Sequence, residues 1–348
     1  MKMLLTLRRR WLLGLLAAVV LLRALPGAGD MYSRHCYPFI ANVLSGVSGC
    51  IPFSVSEVFY LSGILVLVFV PFYAHFRLSR SWKEVGVLEL ESVIWLYVWF
   101  YLAWGLNYSQ SNFFQRTQTP VAQYDVKALK RFSNDYLAKL NASYCTIDTK
   151  DDSLVRAEVV ACYRHISEKT GINAPFFLGP SVKTMLFSRF FSKVGVAGTM
   201  GPFFGESLVS NDLLPSGYAA TWAHEYAHQL GIGNEGEANF YAYLACTSSR
   251  DSTIRFSGYF SILGYVLNTL YKEDPRLADD FVARLPPEVK QLYRVKVAHW
   301  RGLYSHTLGD IQNWIYESYL HSNNVEDGVK SYSQVVLLLI SYQSKYGK

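Results

Sequence analysis

Three apolar runs crowd the first third of the chain, and behind them the pattern changes to helical periodicity interrupted by polar turns. The first run, Trp11 to Leu22, follows Arg8-Arg9-Arg10 and is shorter than the roughly 18 to 20 residues that span a bilayer. It reads either as a signal peptide, with small residues for cleavage between Ala24 and Gly29, or as an uncleaved anchor over residues 11–25. The second run, Val58 to Phe76, carries no Asp, Glu, Lys or Arg, contains Pro71 and is followed by Arg77, Arg80 and Lys83. That is the pattern of a spanning helix over 58–76. The third, over 87–106, opens with Glu89 and Glu91 and continues through Trp95, Tyr97, Trp99, Phe100, Tyr101 and Trp104, a charged interface followed by an aromatic-rich span.

Arg and Lys flank the runs unevenly. The N-terminus and the 77–86 segment are basic, whereas 26–57, expected as a loop, has Arg34 as its only Arg or Lys. The bias predicts a membrane region over 1–106, at home in the lipid bilayer of the cell membrane, and a multi-pass topology that leaves 107–348 as one extracytoplasmic domain. Composition agrees: 51% hydrophobic against 17% charged residues is apolar for a soluble chain. The formal charge of +6 is scattered, with no basic run beyond Arg8–Arg10, which speaks against a nucleic-acid partner. The cysteines form no CxxC pair, so neither a zinc ribbon nor a thioredoxin-type site is indicated. A Cys36–Cys50 disulfide and two free thiols fit the sequence equally.

In the domain, Val126 to Leu140 and Ser153 to Lys169 have helical periodicity, and the Gly- and Phe-rich Gly195 to Ser210 suits extended or turn structure. A helix from about Ser216 to Leu230 is closed by Gly231 and Gly233, and a second starts at Asn234 and runs through Cys246. Ile254 to Tyr271 and Ser331 to Tyr342 read as buried helices: Arg255, Ser257 and Asn268 interrupt the first, and the second is too short to span. The fold class is therefore mainly α, with few strands.

The chemistry gathers at His224-Glu225-Tyr226-Ala227-His228. Four residues apart on a helix, two imidazoles project from one face and can share a Zn²⁺ at about 2.0 to 2.1 Å. A carboxylate directly after the first ligand, here Glu225, does not ligate but can act as general base toward an activated water. The apolar neighbours Ala219, Ala220, Trp222, Ala223, Tyr226 and Ala227 bury that helix, where unpaired His and Glu side chains are costly. A catalytic zinc needs a third protein ligand and an open position, which a glutamate after the glycine turn supplies. Glu235 and Glu237 are the candidates, about 200° apart on a helix, so only one faces the metal. Glu237 is favoured, although with Asn234 it also completes an N-capping box. The longer HExxHxxGxxH pattern fails at its last position, held here by Asn234. His299, Tyr304 and His306 are candidate donors to a developing oxyanion. His35, His75, His165 and His321 have no motif context, and the sequons at Asn107 and Asn141 matter only in a eukaryotic secretory setting.

These residues resemble the bacterial membrane-protein family DUF3810, a domain of unknown function. The likeness is carried by Ile51-Pro52-Phe53-Ser54, Trp104-Gly105-Leu106-Asn107-Tyr108, Gly198 to Val209, the His224 to Cys246 block with Glu237-Ala238-Asn239-Phe240, and Ser331-Tyr332. It departs from the family pattern around Gly205-Glu206 and at Trp222-Ala223, which leaves the metal residues untouched. The resemblance implies N-terminal membrane segments followed by a zincin-like domain with a glutamate as third ligand, similar to gluzincin peptidases. By analogy with zincins, Gly205 to Ser210 is the expected edge strand for an extended peptide. Together these features predict a membrane-anchored zinc metallopeptidase with His224, His228 and Glu237 as ligands, Glu225 as base and a peptide or protein substrate. The alternative is a catalytically inactive, zinc-stabilised membrane scaffold or cell-envelope binding protein whose metal is closed by a fourth ligand, for which Glu235 is the candidate.

Overall fold

The structure, a computed structural model, describes residues 6–122, 125–323 and 332–347. The N-terminal apolar pattern folds as helix α1 (Leu7–Ala24), a short α2 (Ala28–Met31) continued by a π-helical turn (Tyr32–Cys36), α3 (Tyr37–Gly49), and the antiparallel hairpin α4 (Val55–Phe76) and α5 (Trp82–Ala103). α4 and α5 are long and apolar enough to cross a membrane, and α4 exposes Ile64, Val66 and Phe69 along its length. The Ser54 hydroxyl accepts from Glu57 N at 3.1 Å and starts α4. α5 begins before the expected residue 87 because Ser81 and Glu84 form a capping box that draws the charged turn into the helix. α1 lies along α5 in the same direction, with Arg8 and Arg9 on Glu91 at 2.8 and 3.3 Å and Arg23 donating to Tyr97 Oη at 2.9 Å.

The expected loop over 26–57 is instead largely helical. The chain turns by 108° after α1, and α2 and α3 pack on the following domain, where Tyr37 is buried and donates to the Gln229 carbonyl at 2.5 Å. A Cys36–Cys50 disulfide is ruled out by this geometry. The thirteen residues of α3 separate the two cysteines, a helix of about 20 Å against the roughly 7 Å a disulfide can bridge. Both thiols are free and exposed.

A 3₁₀ turn (Gly105–Ser109) leads from α5 into α6 (Phe113–Thr117), α7 (Val126–Ser143) and α8 (Asp152–Thr170), the latter two where periodicity placed them. A small sheet follows, β1 (Val182–Thr184), β2 (Gly198–Gly201) and β3 (Glu206–Val209), with α9 (Ser188–Lys193) between β1 and β2. Its order is β1-β3-β2, β3 pairing parallel with β1 (Val182 opposite Ser207) and antiparallel with β2 (Gly198 opposite Val209). The segment expected as an edge, Gly205 to Ser210, is therefore the central strand, covered on one side by a β1 that no sequence signal announced. The outer edge is β2. Ser210 N donates to the Ala197 carbonyl at 2.8 Å, so alternate residues Ala197, Thr199 and Gly201 bond inward and the backbone groups of Gly198 and Met200 point away from the sheet.

The remaining helices are α10 (Pro215–Gln229), α11 (Glu235–Thr247), α12 (Ser252–Ser261), α13 (Leu263–Glu273), α14 (Pro275–Ala283), α15 (Pro287–Leu303), α16 (His306–Ser322) and α17 (Tyr332–Tyr346). α12 and α13 divide at Ile262 what the pattern suggested as one segment. α17 is buried as expected through Val335, Val336, Leu338 and Leu339, while Ser331 lies outside the described residues. The core forms where α10, α11 and α12 meet, with Trp222, Tyr226, Phe240, Tyr241, Phe256 and Phe260 fully buried. The chain is thus mainly helical with few strands.

Candidate metal centre

α10 starts at Pro215, whose missing N–H is no loss at a first helical turn. Trp222, Ala223, Tyr226 and Ala227 fill the core, leaving His224 and His228 on another face with Nε2 atoms 3.1 Å apart. His228 Nδ1 lies 2.6 Å from the Ile232 carbonyl. A carbonyl only accepts, so Nδ1 carries a proton and Nε2 faces the site, the arrangement that orients a metal-binding imidazole. The end of α10 is fastened to the N-terminal helices: Trp104, just after α5, donates its indole N–H to the His228 carbonyl at 2.9 Å. Gly231 then reverses the chain at φ +100°, which only glycine adopts without strain, and packs against Tyr37 and Asn107.

The reversal delivers Glu235, not Glu237, to the histidines. Glu235 Oε2 lies 3.1 Å from His224 Nε2 and 3.6 Å from His228 Nε2, while its Oε1 accepts from the Tyr316 hydroxyl of α16. Glu237 is turned away, as the wide angle between the two positions requires. Its carboxylate pairs with Arg116 and accepts from Phe113 N at 2.6 Å, both on α6, and Arg116 and Glu237 are each about 95% buried. Only half of the capping box expected from sequence forms: Glu237 N donates to Asn234 Oδ1 at 2.9 Å, but the Glu237 carboxylate is held by α6 and does not return to Asn234 N. The structure thus brings Glu235 to the two histidines and turns the favoured Glu237 away from them.

Three donor atoms spaced at 3.1, 3.1 and 3.6 Å suit one small cation. Ligands at about 2.0 to 2.1 Å in tetrahedral directions lie about 3.3 Å from one another. Two imidazole nitrogens and a carboxylate oxygen are also the donor set that zinc takes in open sites. Burial pushes the Glu225 carboxyl up to about 7, moderated by His224 and His228. Its Oε2 has no hydrogen-bond partner among the described residues, and the same holds for His224 Nδ1. Burial opposes charge on His228, yet the Glu235 carboxylate raises its pKa to about 9; burial likewise opposes charge on Glu235, which His228 and His224 nevertheless hold well below the usual carboxylate range. This is the electrostatics of a positive charge wanted at the centre of the triad. No fourth His, Cys, Asp or Glu joins this group among the described residues.

The sheet closes the other side of Glu225. Ser207 of β3 donates to the Glu225 carbonyl at 2.8 Å, and a Cβ added to Gly198 of edge strand β2 would stand 2.3 Å from Glu225 Oε1. Gly198 is therefore glycine so that the strand can lie against the carboxylate. Gly198→Ala should therefore displace the Glu225 carboxylate and cost about 1 to 3 kcal/mol, as overpacking does. Thermal unfolding of the variant checks this.

The candidate oxyanion donors lie on α15, on α16 and in the turn between them. His299 Nε2 lies 2.7 Å from the Asp212 carbonyl, and Tyr304 packs on Gly195, Gly309 and His306. Tyr316, which reaches Glu235 from α16, has no motif around it in the sequence, and only the tertiary fold reveals it.

Comparison with known proteins adds one finding: the model of a family described as "Protein of unknown function (DUF3810)" matches residues 32–340. No curated protein and no solved structure matches the chain.

Proposed function

The chain belongs to the DUF3810 family, whose description assigns no activity, and from the site we propose a membrane-anchored zinc metallopeptidase, with an extracytoplasmic, zincin-like catalytic domain. The observation that carries this is the His224–His228–Glu235 triangle beside a buried, unpartnered Glu225 oxygen. His224, His228 and Glu235 would hold Zn²⁺. When bound there, zinc supplies Lewis acidity, lowering the pKa of a water and polarising a carbonyl. Glu225 takes the proton of the attacking water on Oε2 and passes it to the leaving amine, a task suited to a buried carboxylate oxygen that has no partner among the described residues. Tyr316 holds Glu235 by its second oxygen and so fixes the third ligand.

The outward-facing backbone of Gly198 and Met200 gives an extended peptide a strand to pair with, in register with Glu225. That supports a polypeptide substrate over a small molecule. A closed structural zinc would need a fourth protein ligand, and Glu237, the nearest carboxylate in sequence to Glu235, is occupied by Arg116. The basic residues Arg8–Arg10, Arg77 and Arg80 gather at the end of the helical hairpin away from the domain, which supports an external site. The reading is tested by incubating the reconstituted protein with a proteome-derived peptide library and reading new termini by mass spectrometry. Zinc-dependent cleavage, lost with a chelator and regained with zinc, is expected; unchanged peptides at full zinc loading would sink it.

A further inference from the structure

α16 divides into three faces at about 100° per residue. Gly309, Gln312 and Tyr316 turn inward, buried or half-buried; Asp310, Asn313 and Glu317 form an exposed polar strip; Leu308, Ile311, Trp314 and Ile315 form an apolar strip, 40, 55, 71 and 56% exposed. Such an apolar face on a helix that already has its packing side occupied calls for an apolar neighbour outside the protein.

Both ends of α16 are tied to the level at which the spanning helices leave the membrane region. At its C-terminal end, Arg23 near the end of α1 donates to the Ser322 carbonyl at 2.9 Å, and Tyr101 near the end of α5 donates to Asn323 Oδ1 at 2.7 Å. At its N-terminal end, Ser305 N donates to the Lys193 carbonyl at 2.8 Å, the last residue of α9. α9 in turn follows Leu186 and Phe187, whose N–H groups bond Glu57 in the first turn of α4 at 2.8 and 2.9 Å. A helix of seventeen residues, about 25 Å long, tethered at both ends to that level runs along the membrane plane. Leu186, Phe187 and Phe190, on and before α9, continue the exposed apolar strip at 49, 45 and 57%.

We propose that α16 is an interfacial helix, its Leu308–Ile311–Trp314–Ile315 face seated in the headgroup–acyl boundary of the leaflet nearest the domain, while Tyr316 on another face reaches the metal centre. Trp and large aliphatic side chains on one face are what a helix lying in that boundary buries, while the strip of Asp310, Asn313 and Glu317 stays in water. The lipid contact follows from the tethers and the exposure. Its consequence, that the bilayer positions a wall of the active site and that substrate arrives along the membrane surface, rests on the peptidase reading.

The test places a bimane fluorophore at Trp314→Cys, and separately at Ile311→Cys, in full-length protein with Cys36, Cys50 and Cys145 changed to Ser. The protein is reconstituted into phosphatidylcholine/phosphatidylglycerol vesicles carrying a shallow nitroxide lipid. Both labels should lose at least half their emission to the nitroxide lipid and resist aqueous iodide, while a label at Glu288→Cys, exposed on α15, shows the reverse. Iodide quenching at both α16 positions equal to that at Glu288, with no effect of the nitroxide lipid, would overturn the proposal. A far-ultraviolet circular dichroism spectrum and an unfolding midpoint equal to the parent's certify the fold of each variant. Absent hydrolysis in the parent would count against the peptidase reading alone, since the quenching pattern decides the lipid contact by itself.

Discussion

Glu225→Gln should leave one zinc per chain and remove about 10²- to 10⁴-fold from kcat/KM, the range expected when a general base is lost. The amide keeps the shape of the carboxylate but cannot accept the water's proton, and neither neighbouring glutamate is poised to replace it: Glu235 is turned to the histidines and Glu237 to Arg116. Because Glu225 is buried and its Oε2 unpartnered, the neutral amide also removes a charge that burial disfavours. Stability should therefore hold or rise while activity falls, a separation that a purely structural glutamate would not give. Metal analysis, thermal unfolding and peptide cleavage on one preparation read all three; retained cleavage would assign the base elsewhere.

The two glutamates after the glycine turn should fail in opposite ways. Glu235→Ala removes a direct ligand, so zinc affinity should drop by more than the roughly 10- to 100-fold that loss of an outer partner costs, with the fold intact. Glu237→Gln should keep zinc but lose about 3 to 5 kcal/mol, because it strands a buried Arg116. For a domain of this size that is a fall of roughly 10 °C in apparent Tm. Zinc competition titrations and unfolding curves on both variants distinguish the outcomes, and zinc loss in Glu237→Gln without loss of stability would reverse the assignment.

Local patterns carried the helices and the motif. Periodicity placed α7, α8, α10 and α11 within a few residues, and the spacing of His224 and His228 brought their Nε2 atoms to 3.1 Å, because a helix fixes that relation by itself. Which glutamate faces the histidines was illegible for a physical reason: both sit in the first turn of α11, and what separates them is Arg116, over a hundred residues earlier, which claims Glu237. The sheet order was hidden in the same way, since β1 is three residues long and covers β3 through parallel pairing that no local signal encodes. α2 and α3 escaped notice because Pro38, Gly46 and Gly49 look like loop residues, yet Pro38 sits at a helix start and Gly46 makes room for Leu178. Tyr316 and the three faces of α16 likewise acquire meaning only once the C-terminal helices fold back on the ends of α1 and α5.

The most direct test of the metal centre is zinc K-edge X-ray absorption on the full-length protein in nanodiscs, loaded to one equivalent. His224, His228 and Glu235 predict a shell of nitrogen and oxygen at about 2.0 to 2.1 Å with scattering from two imidazoles and no sulfur. Zinc that fails to bind stoichiometrically, or a spectrum showing a sulfur ligand or fewer than two imidazoles, would contradict the site.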